Sequence, residues 1–529
     1  MKKFAFVLIA CALITSCGGG SSSSGSSSSP TPSTTGITVG GTVTGLSGSV
    51  ILQNNGGDTI TVTGNSTFTF PTALASGKQY AVSTTTTSPN YYACSITNGT
   101  GTVASSNVTN VAVSCSLVPQ VAMACGNATS IGSGNVAPLV IDGFPCAAGG
   151  TAGGANNANV PYVSVKICAP GSTTNCQIID HVIVDTGSAG LRIASTALAS
   201  NLQPGSGLPT VAGRNAATSL AECEIYVASY VYGPVVSADV YIAGKLVKNT
   251  NMQVFGAPGY QVPAACSNQG GTETDTTQAF NGNGLIGVSF DLLDNYAMYF
   301  DCQNSALGQC TSNTSYAGLP NIVSQFSSDN NGVVLALPSV PSTGLSTPTV
   351  GTLTFGVSTQ ANNTPAVSTL AIINDNLGEF AAKVGNTWYS AYIDSGTDLM
   401  YFNDNTNTNL TLCSSKGVNA GLYCPAQPQN IPVSFANYAS AGKTPVAIGA
   451  MTYQVANADV INTPSAIVFS NVAGPIAGST TLSATTMAFG LSSFYGHNMY
   501  FLFNSMSAPG TGLGGTASTT VTGPINGIQ

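Results

Sequence analysis

Two short motifs built around aspartate indicate that most of this chain is a duplication. Residues 185–188 read Asp-Thr-Gly-Ser and residues 394–397 read Asp-Ser-Gly-Thr, each directly after a short apolar run. An apolar pair closed by glycine follows each motif, with Gly287 102 residues after Asp185 and Gly490 96 residues after Asp394. The second part therefore repeats the first, which predicts two related lobes that each present one aspartate.

The motifs also predict a chemistry. Glycine after the aspartate allows a tight turn at the end of a strand, which presents the carboxylate at a surface. If the two lobes face each other, Asp185 and Asp394 come close together. Two neighbouring carboxylates cannot both ionise cheaply, so the pair is expected to hold one proton, with one group acting as a base and the other as an acid.

The residues around the two aspartates have supporting roles in this interpretation. The hydroxyls of Thr186 and Ser395 are suited to link the two loops, and those of Ser188 and Thr397 to orient the carboxylates. The complete predicted site consists of Asp185, Asp394, Thr186, Gly187, Ser188, Ser395, Gly396 and Thr397.

On these residues the region resembles the pepsin-like aspartic proteases, over most of residues 155–505. Residues 162–167 are similar to the first strand of that catalytic domain, residues 284–287 to its apolar-apolar-glycine segment, and residues 489–503 to the end of its second lobe. The resemblance implies an all-β, bilobal fold and a cleft for an extended polypeptide. It implies neither a cofactor nor a metal ion.

The resemblance also implies a flap, a hairpin that covers the substrate and carries a tyrosine. This hairpin falls at residues 223–244, where Tyr226 suits the flap position best and Tyr230 and Tyr232 remain alternatives. Arg192 stands where the family usually has a tryptophan, and it is interpreted either as a flap or substrate contact or as part of a surface salt bridge. Glu222 and Glu224 are expected to face solvent.

The N-terminus predicts export. Two lysines precede an apolar run, residues 4–14, that is too short to span a bilayer, as in a secretory signal. Residues 1–16 are interpreted as a lipoprotein signal peptide and Cys17 as a lipidated N-terminus, followed by a Gly/Ser-rich linker that completes residues 17–35. Glycine at position 18 resembles the sorting pattern of outer-membrane lipoproteins.

Cysteine content agrees with an oxidising compartment. Of 14 cysteines, 12 remain after removal of Cys11 with the signal and lipidation of Cys17. Pairing of neighbours predicts six disulfides: Cys94–Cys115, Cys125–Cys146, Cys168–Cys176, Cys223–Cys266, Cys302–Cys310 and Cys413–Cys424.

The remaining domain boundaries follow from strand-like runs and turn signals. Residues 36–117 contain short runs rich in Val, Thr and Tyr and resemble the immunoglobulin-like β-sandwich spacers of bacterial surface lipoproteins. Residues 118–340 are predicted to form the first lobe, residues 341–515 the second lobe, and residues 516–529 a C-terminal tail.

Composition excludes other functions. The chain has only 11 Lys and Arg against 19 Asp and Glu, which gives no basic patch for a nucleic acid. Only two histidines occur, so a histidine-rich metal site is excluded. The expected partners are a polypeptide substrate or peptide ligand and, through the lipid anchor, a membrane.

The preferred hypothesis is an exported, lipid-anchored aspartic endopeptidase at the outer membrane, on its periplasmic side or at the cell surface. The alternative is a catalytically inactive, protease-like surface lipoprotein that binds peptide or glycan. A glycosidase, which also uses two carboxylates, is less favoured because nothing in that chemistry requires a duplicated Asp-Thr/Ser-Gly.

Overall fold

The computed structural model divides the chain into two compact units, whose described parts lie within residues 36–117 and 130–529. The structure describes residues 36–45, 49–63, 65–85, 92–117, 130–143, 158–294, 296–403, 410–414, 419–439, 443–463, 465–476, 485–516 and 518–529. Both units are built almost wholly of strands, as the sequence predicts. Within these ranges, none of the helices has the length and apolar content needed to cross a membrane. Cys17 and the rest of the predicted signal and linker lie outside the described residues.

The first unit contains two four-stranded sheets around one hydrophobic core. The sheet orders are β4-β1-β8-β6 and β3-β2-β5-β7. Core side chains from both sheets, such as Val43 of β1 and Leu52 of β2, belong to the same cluster. The strands are β1 (Val39–Thr44), β2 (Ser49–Asn54), β3 (Asp58–Thr63), β4 (Ser66–Thr69), β5 (Gln79–Thr85), β6 (Tyr92–Thr97), β7 (Thr100–Thr102) and β8 (Val108–Leu117).

The first part of the second unit is formed by strands β10 to β19, which belong to one extended sheet. These strands are called the first lobe here. They are preceded by β9 (Val136–Ile141) and comprise β10 (Tyr162–Cys168), β11 (Cys176–Asp185), β12 (Ala189–Ala194), β13 (Thr218–Ile225), β14 (Ser229–Ile242), β15 (Lys245–Phe255), β16 (Thr272–Glu273), β17 (Gly284–Val288), β18 (Met298–Gln303) and β19 (Ala306–Ser312).

The rest of the unit supplies a connecting sheet and a second lobe. The later strands are β20 (Gly332–Ala336), β21 (Thr349–Phe355), β22 (Leu370–Ile373), β23 (Phe380–Val384), β24 (Thr387–Ile393), β25 (Met400–Phe402), β26 (Gln429–Ala436), β27 (Ala447–Val455), β28 (Ala473–Gly474), β29 (Thr486–Phe489), β30 (Asn498–Leu502), β31 (Ser507–Pro509), β32 (Thr520–Thr522) and β33 (Ile525–Ile528). The second lobe is the seven-stranded sheet β27-β26-β23-β24-β29-β25-β28, and the connecting sheet is β9-β21-β20-β30-β33-β22, which continues from β10.

The helical segments of the described residues are short, with three or four residues each. The α-helices are α1 (Ala264–Ser267), α2 (Thr277–Phe280) and α3 (Ala458–Ile461), and the 3₁₀ segments are Ser195–Ala197, Ser200–Leu202, Ile322–Gln325, Ala361–Asn363 and Leu491–Ser493.

The duplication seen in the sequence is also present in the strand arrangement. In the first lobe β10 is antiparallel to β11, β11 is parallel to β17, and β17 is antiparallel to β12. In the second lobe the same relations hold for β23, β24, β29 and β25. All five residues of β17 and all four of β29 are buried, which explains their apolar composition, since parallel strands are covered on both faces. Each lobe therefore holds its aspartate at the end of a central strand.

The predicted boundaries differ from the sheet arrangement in two places. Residues 516–529 do not form a tail outside the fold, because β33 pairs with β30 and β22 in the connecting sheet. The boundary between residues 340 and 341 falls between β20 and β21, which are antiparallel neighbours in that sheet. The connecting sheet thus draws strands from both predicted lobes.

Five of the six predicted disulfides are present, and they join Cys94 to Cys115, Cys168 to Cys176, Cys223 to Cys266, Cys302 to Cys310 and Cys413 to Cys424. The sixth predicted pair, Cys125 and Cys146, lies outside the described residues.

Candidate active site

The loop after β11 holds the side chain of Asp185 in a fixed orientation. The backbone N–H of Gly187 donates a hydrogen bond to Asp185 Oδ1 at 2.8 Å, and the Ser188 hydroxyl donates to Oδ2 at 2.5 Å. Asp185 is only 4% exposed. Both oxygens of the carboxylate are therefore engaged by its own loop.

The loop after β24 repeats this geometry around Asp394. The backbone N–H of Gly396 donates to Asp394 Oδ1 at 2.8 Å, and the Thr397 hydroxyl donates to Oδ2 at 2.7 Å. Ser188 and Thr397 thus each donate a hydrogen bond to the carboxylate of their own loop.

Reciprocal hydrogen bonds join the two loops. The Thr186 N–H donates to Ser395 Oγ at 3.1 Å, and the Ser395 N–H donates to Thr186 Oγ1 at 2.9 Å. Each hydroxyl in turn donates to a strand carbonyl of the opposite lobe, Ser395 to Val184 at 2.7 Å and Thr186 to Ile393 at 3.4 Å. Both hydroxyls are therefore buried and engaged in hydrogen bonds that join the two loops.

The carboxylates of Asp185 and Asp394 both lie close to the glycines of the two motifs, Gly187 and Gly396. A Cβ added to Gly187 would lie 3.0 Å from Asp394 Oδ1 and 3.2 Å from Asp185 Oδ1. One added to Gly396 would lie 2.5 Å from Asp185 Oδ1 and 3.2 Å from Asp394 Oδ1. A side chain at position 396 would therefore displace the carboxylate of Asp185, and one at position 187 would crowd that of Asp394.

Burial raises the pKa of Asp394 well above its ordinary value, and the charge and hydrogen bond of Asp185 raise it further. The hydrogen bonds from Thr397 and Gly396 oppose this shift without cancelling it. Two buried carboxylates in hydrogen-bond contact share one proton, since ionising both would place like charges side by side away from water. The pair can therefore act as one acid and one base.

The apolar-apolar-glycine segments support the loops from behind. Gly287 pairs with Asp185 in the register of β11 and β17, and Gly490 follows β29 at the equivalent place. A Cβ would lie 2.5 Å from the Ser188 carbonyl oxygen in the first case and 2.6 Å from the Thr397 carbonyl oxygen in the second. The spacing in the sequence therefore reflects a close backbone approach in both lobes.

A hairpin of β13 and β14 carries the three candidate flap tyrosines. Tyr226 begins its turn, where its N–H donates to the Ser229 carbonyl at 2.7 Å and its ring lies 6.0 Å from that of Phe280. The Tyr232 hydroxyl instead lies 3.2 Å from the sulfur of Cys302, beside a disulfide. Burial raises the pKa of Tyr226 and Arg192 lowers it, while the charges of nearby carboxylates, including Asp185, raise it. Tyr226 is thus within electrostatic range of the pair.

A cleft that is partly open to solvent lies against the loop after β11 and the end of β24. First-lobe residues 186–189, 289–291, 293, 294 and 296 form one side, and second-lobe residues 377–378 and 392–393 form the other. Glu224 of the hairpin contributes to the lining as well. The titratable side chains of this lining are Glu224, Asp291, Asp294, Tyr296 and Tyr392.

The prediction that Glu222 and Glu224 face solvent is wrong. Glu222 is completely buried and Glu224 is 5% exposed, because both turn inward to the guanidinium of Arg192. Arg192 is itself completely buried, so the surface salt bridge is also ruled out. The residue pattern of the strand does not reveal that these side chains are buried, since the third carboxylate partner, Asp294, is 102 residues from Arg192 in the sequence.

The model of a family described as "Protein of unknown function (DUF3443)" matches residues 133–517. No curated protein matches the chain. Among solved structures, it is similar to an aspartic proteinase from Irpex lacteus, with 13% sequence identity and a TM-score of 0.38, over 74% of this chain and 96% of that chain.

The reciprocal link predicts coupled losses of stability. Thr186→Val and Ser395→Ala each leave a buried N–H without its acceptor, which should cost about 1–3 kcal/mol in the free energy of unfolding. The double variant should lose less than the sum of the two, because both changes break the same network. Denaturant unfolding of the four proteins measures this coupling.

Thr250→Val is the matched control, since Thr250 is also buried but accepts its hydrogen bond from Gln325 at 2.8 Å, away from the two loops. Its cost should add to that of Ser395→Ala. Additive costs for Thr186→Val and Ser395→Ala would contradict the link.

Proposed function

The chain belongs to the DUF3443 family, whose description names no function, and we propose from the geometry of its own site that it is an aspartic endopeptidase. The observation that carries this proposal is the buried pair of hydrogen-bonded carboxylates, Asp185 and Asp394, on duplicated loops beside a cleft. In the proposed reaction the ionised carboxylate removes a proton from a water molecule, which attacks a peptide carbonyl. The protonated carboxylate donates to the carbonyl oxygen, which gives a tetrahedral diol. The proton taken from water then passes to the peptide nitrogen as the C–N bond breaks, so no covalent enzyme intermediate is needed.

The fold proposed for this activity is that of the pepsin-like aspartic proteases. Its support is the repeated arrangement of β10, β11, β17 and β12 in one lobe and β23, β24, β29 and β25 in the other. In this fold the β13–β14 hairpin is the flap and Tyr226 its tyrosine, because the charge of Asp185 acts on Tyr226, whereas Tyr232 faces the disulfide of Cys302 and Cys310.

The substrate is proposed to be an extended polypeptide. The cleft has both polar and apolar walls, with Phe290 and Leu293 beside the hydroxyl of Ser289 and the carboxylate of Asp291. A cleft of this kind holds an extended chain through main-chain hydrogen bonds and takes alternate side chains into its pockets.

Replacing either aspartate should abolish hydrolysis. Asp185→Asn and Asp394→Asn each leave a single carboxyl group, so the site can no longer supply both an acid and a base. General acid and base catalysis contributes about 10²–10⁴-fold to the rate of a reaction. The measurement is cleavage of an acid-denatured protein at about pH 3–6, a range set by carboxylate titration. Circular dichroism would confirm that the variants fold.

Asp459→Asn is the control, because Asp459 is exposed at the start of α3 and outside the site. It should cleave as the wild type does. A folded wild-type protein that binds denatured polypeptide but cleaves none would contradict the proposal and favour the inactive, peptide- or glycan-binding alternative.

The rate of hydrolysis should have a bell-shaped dependence on pH. At high pH the rate falls as the pH passes the raised pKa of Asp394, because the acid is then ionised. At low pH the rate falls because the remaining carboxylate is protonated and can no longer act as the base. Thr397→Val removes a hydrogen bond that stabilises ionised Asp394, so it should move the base limb of kcat/KM to higher pH. A base limb that stays in place, or moves to lower pH, would contradict this assignment.

We also propose that the protein is exported and anchored in the outer membrane by lipid on Cys17, with residues 36–117 as an immunoglobulin-like spacer. The support is the signal-like N-terminus, together with five disulfides that suit an oxidising compartment.

Cys17→Ala should therefore abolish incorporation of labelled palmitate and release the protein from the membrane fraction, whereas Cys11→Ala, within the signal, should do neither. Equal labelling of the Cys17→Ala variant would overturn the proposed anchor.

A further inference from the structure

Arg192 is an unusual residue to find at the centre of a lobe. It lies on β12 and is completely buried, although the transfer of a charged side chain from water into a protein interior costs several kcal/mol unless it is paired. Its Nη1 donates to the Ala189 carbonyl oxygen at 2.8 Å, in the chain segment that carries Ser188. Its Nη2 faces three carboxylates.

These carboxylates come from two different elements. Nη2 lies 2.9 Å from Glu222 Oε1 and 3.4 Å from Glu224 Oε2, both on strand β13 of the hairpin. It also donates to Asp294, which lies in the cleft wall after β17. One guanidinium therefore contacts the aspartate loop, the hairpin and the cleft wall.

The contacts continue outward from Glu222. The Tyr299 hydroxyl donates to Glu222 Oε1 at 2.9 Å and accepts from the Leu319 N–H at 2.8 Å, and Gln253 donates to the Glu222 carbonyl at 2.7 Å. Burial, only partly opposed by Arg192, raises the pKa of Glu222 to about 7. The carboxylates of Glu222, Glu224 and Asp294 are close enough together to hold a metal ion, but here the cation among them is the guanidinium.

The order of residues along β13 connects the contacts of Arg192 to the position of Tyr226. Glu222 and Glu224 point inward on alternate positions, and Tyr226 is the next residue in that series, at the turn. A shift of Glu224 relative to Arg192 must therefore move Tyr226 relative to the loop of Asp185. A planar guanidinium with several fixed donors sets such a distance more tightly than an ammonium group does.

We infer that Arg192 is a positioning residue that fixes the β13–β14 hairpin, and with it Tyr226, relative to the aspartate loop. This inference rests on the proposed function for its effect on turnover. It goes further in assigning a role to a residue that touches neither substrate nor carboxylate pair.

The test compares Arg192→Lys, which keeps the charge but loses the planar fork, with wild type. The kcat for a peptide substrate should fall about 100-fold, the loss typical of a displacement near 1 Å, and KM should change far less. Arg214→Lys is the control, because Arg214 also pairs with a buried aspartate, Asp301, but at the edge of the lobe. It should leave kcat unchanged.

Hydrogen exchange provides a readout that needs no turnover. Amides of β13, β14 and the Tyr226 turn should exchange faster in Arg192→Lys than in wild type or Arg214→Lys, while the β26–β27 hairpin of the second lobe stays protected. The double variant Arg192→Met/Glu222→Gln, which removes charge from both sides, should show the same local change if Arg192→Lys fails to fold.

Two results would overturn the inference: unchanged kcat with a protected hairpin, or faster exchange spread over the whole first lobe with a matching fall in melting temperature. If wild type hydrolyses no peptide, the proposed protease function fails, while local exchange at the hairpin still decides the role of Arg192.

Discussion

The structure depends on holding two buried carboxyl groups together, away from water. Asp185 and Asp394 would separate if nothing held their loops, because neither loop gains from bringing a second carboxylate near its own. The reciprocal hydrogen bonds between Thr186 and Ser395 supply that restraint. Each bond joins a hydroxyl of one lobe to a backbone N–H of the other, so the lobes can be held only in a symmetric arrangement.

The restraint explains why the duplication in the sequence is so local. What is repeated is a strand that ends in aspartate, a glycine that leaves room for the opposite carboxylate, and a second glycine that lets a neighbouring strand approach. Outside these elements the two lobes differ in their strands and in their buried polar residues. The first contains a long hairpin and a buried arginine cluster, whereas the second has a seven-stranded sheet with the nine-residue β27 at one edge and the two-residue β28 at the other.

The carboxylate pair could be predicted from sequence because its determinants are contiguous. Asp185, Thr186 and Gly187 define a turn, and the equivalent residues of the second motif define its partner, so their chemistry can be inferred without knowledge of the fold. Neighbouring cysteines could be paired for a similar reason, since short loops bring them together on adjacent strands, as for Cys302 and Cys310.

The arginine cluster and the connecting sheet could not be predicted in this way. Glutamates at 222 and 224 alternate along a strand as solvent-facing residues often do, and only the approach of β12 makes them buried partners of Arg192. Similarly, β33 lies near the C-terminus and becomes part of the sheet through pairing with β30 and β22, which depends on tertiary contacts.

The central claim is that one proton is shared between the two aspartates, and infrared difference spectroscopy tests it without knowledge of the substrate. The difference spectrum of wild type minus Asp394→Asn, recorded through a pH titration, should show one carboxylic-acid carbonyl band that persists above the pH at which ordinary aspartates lose theirs. That band should disappear as the raised pKa of Asp394 is passed. A difference spectrum that contains only carboxylate bands would show that both groups ionise independently, and would contradict the account.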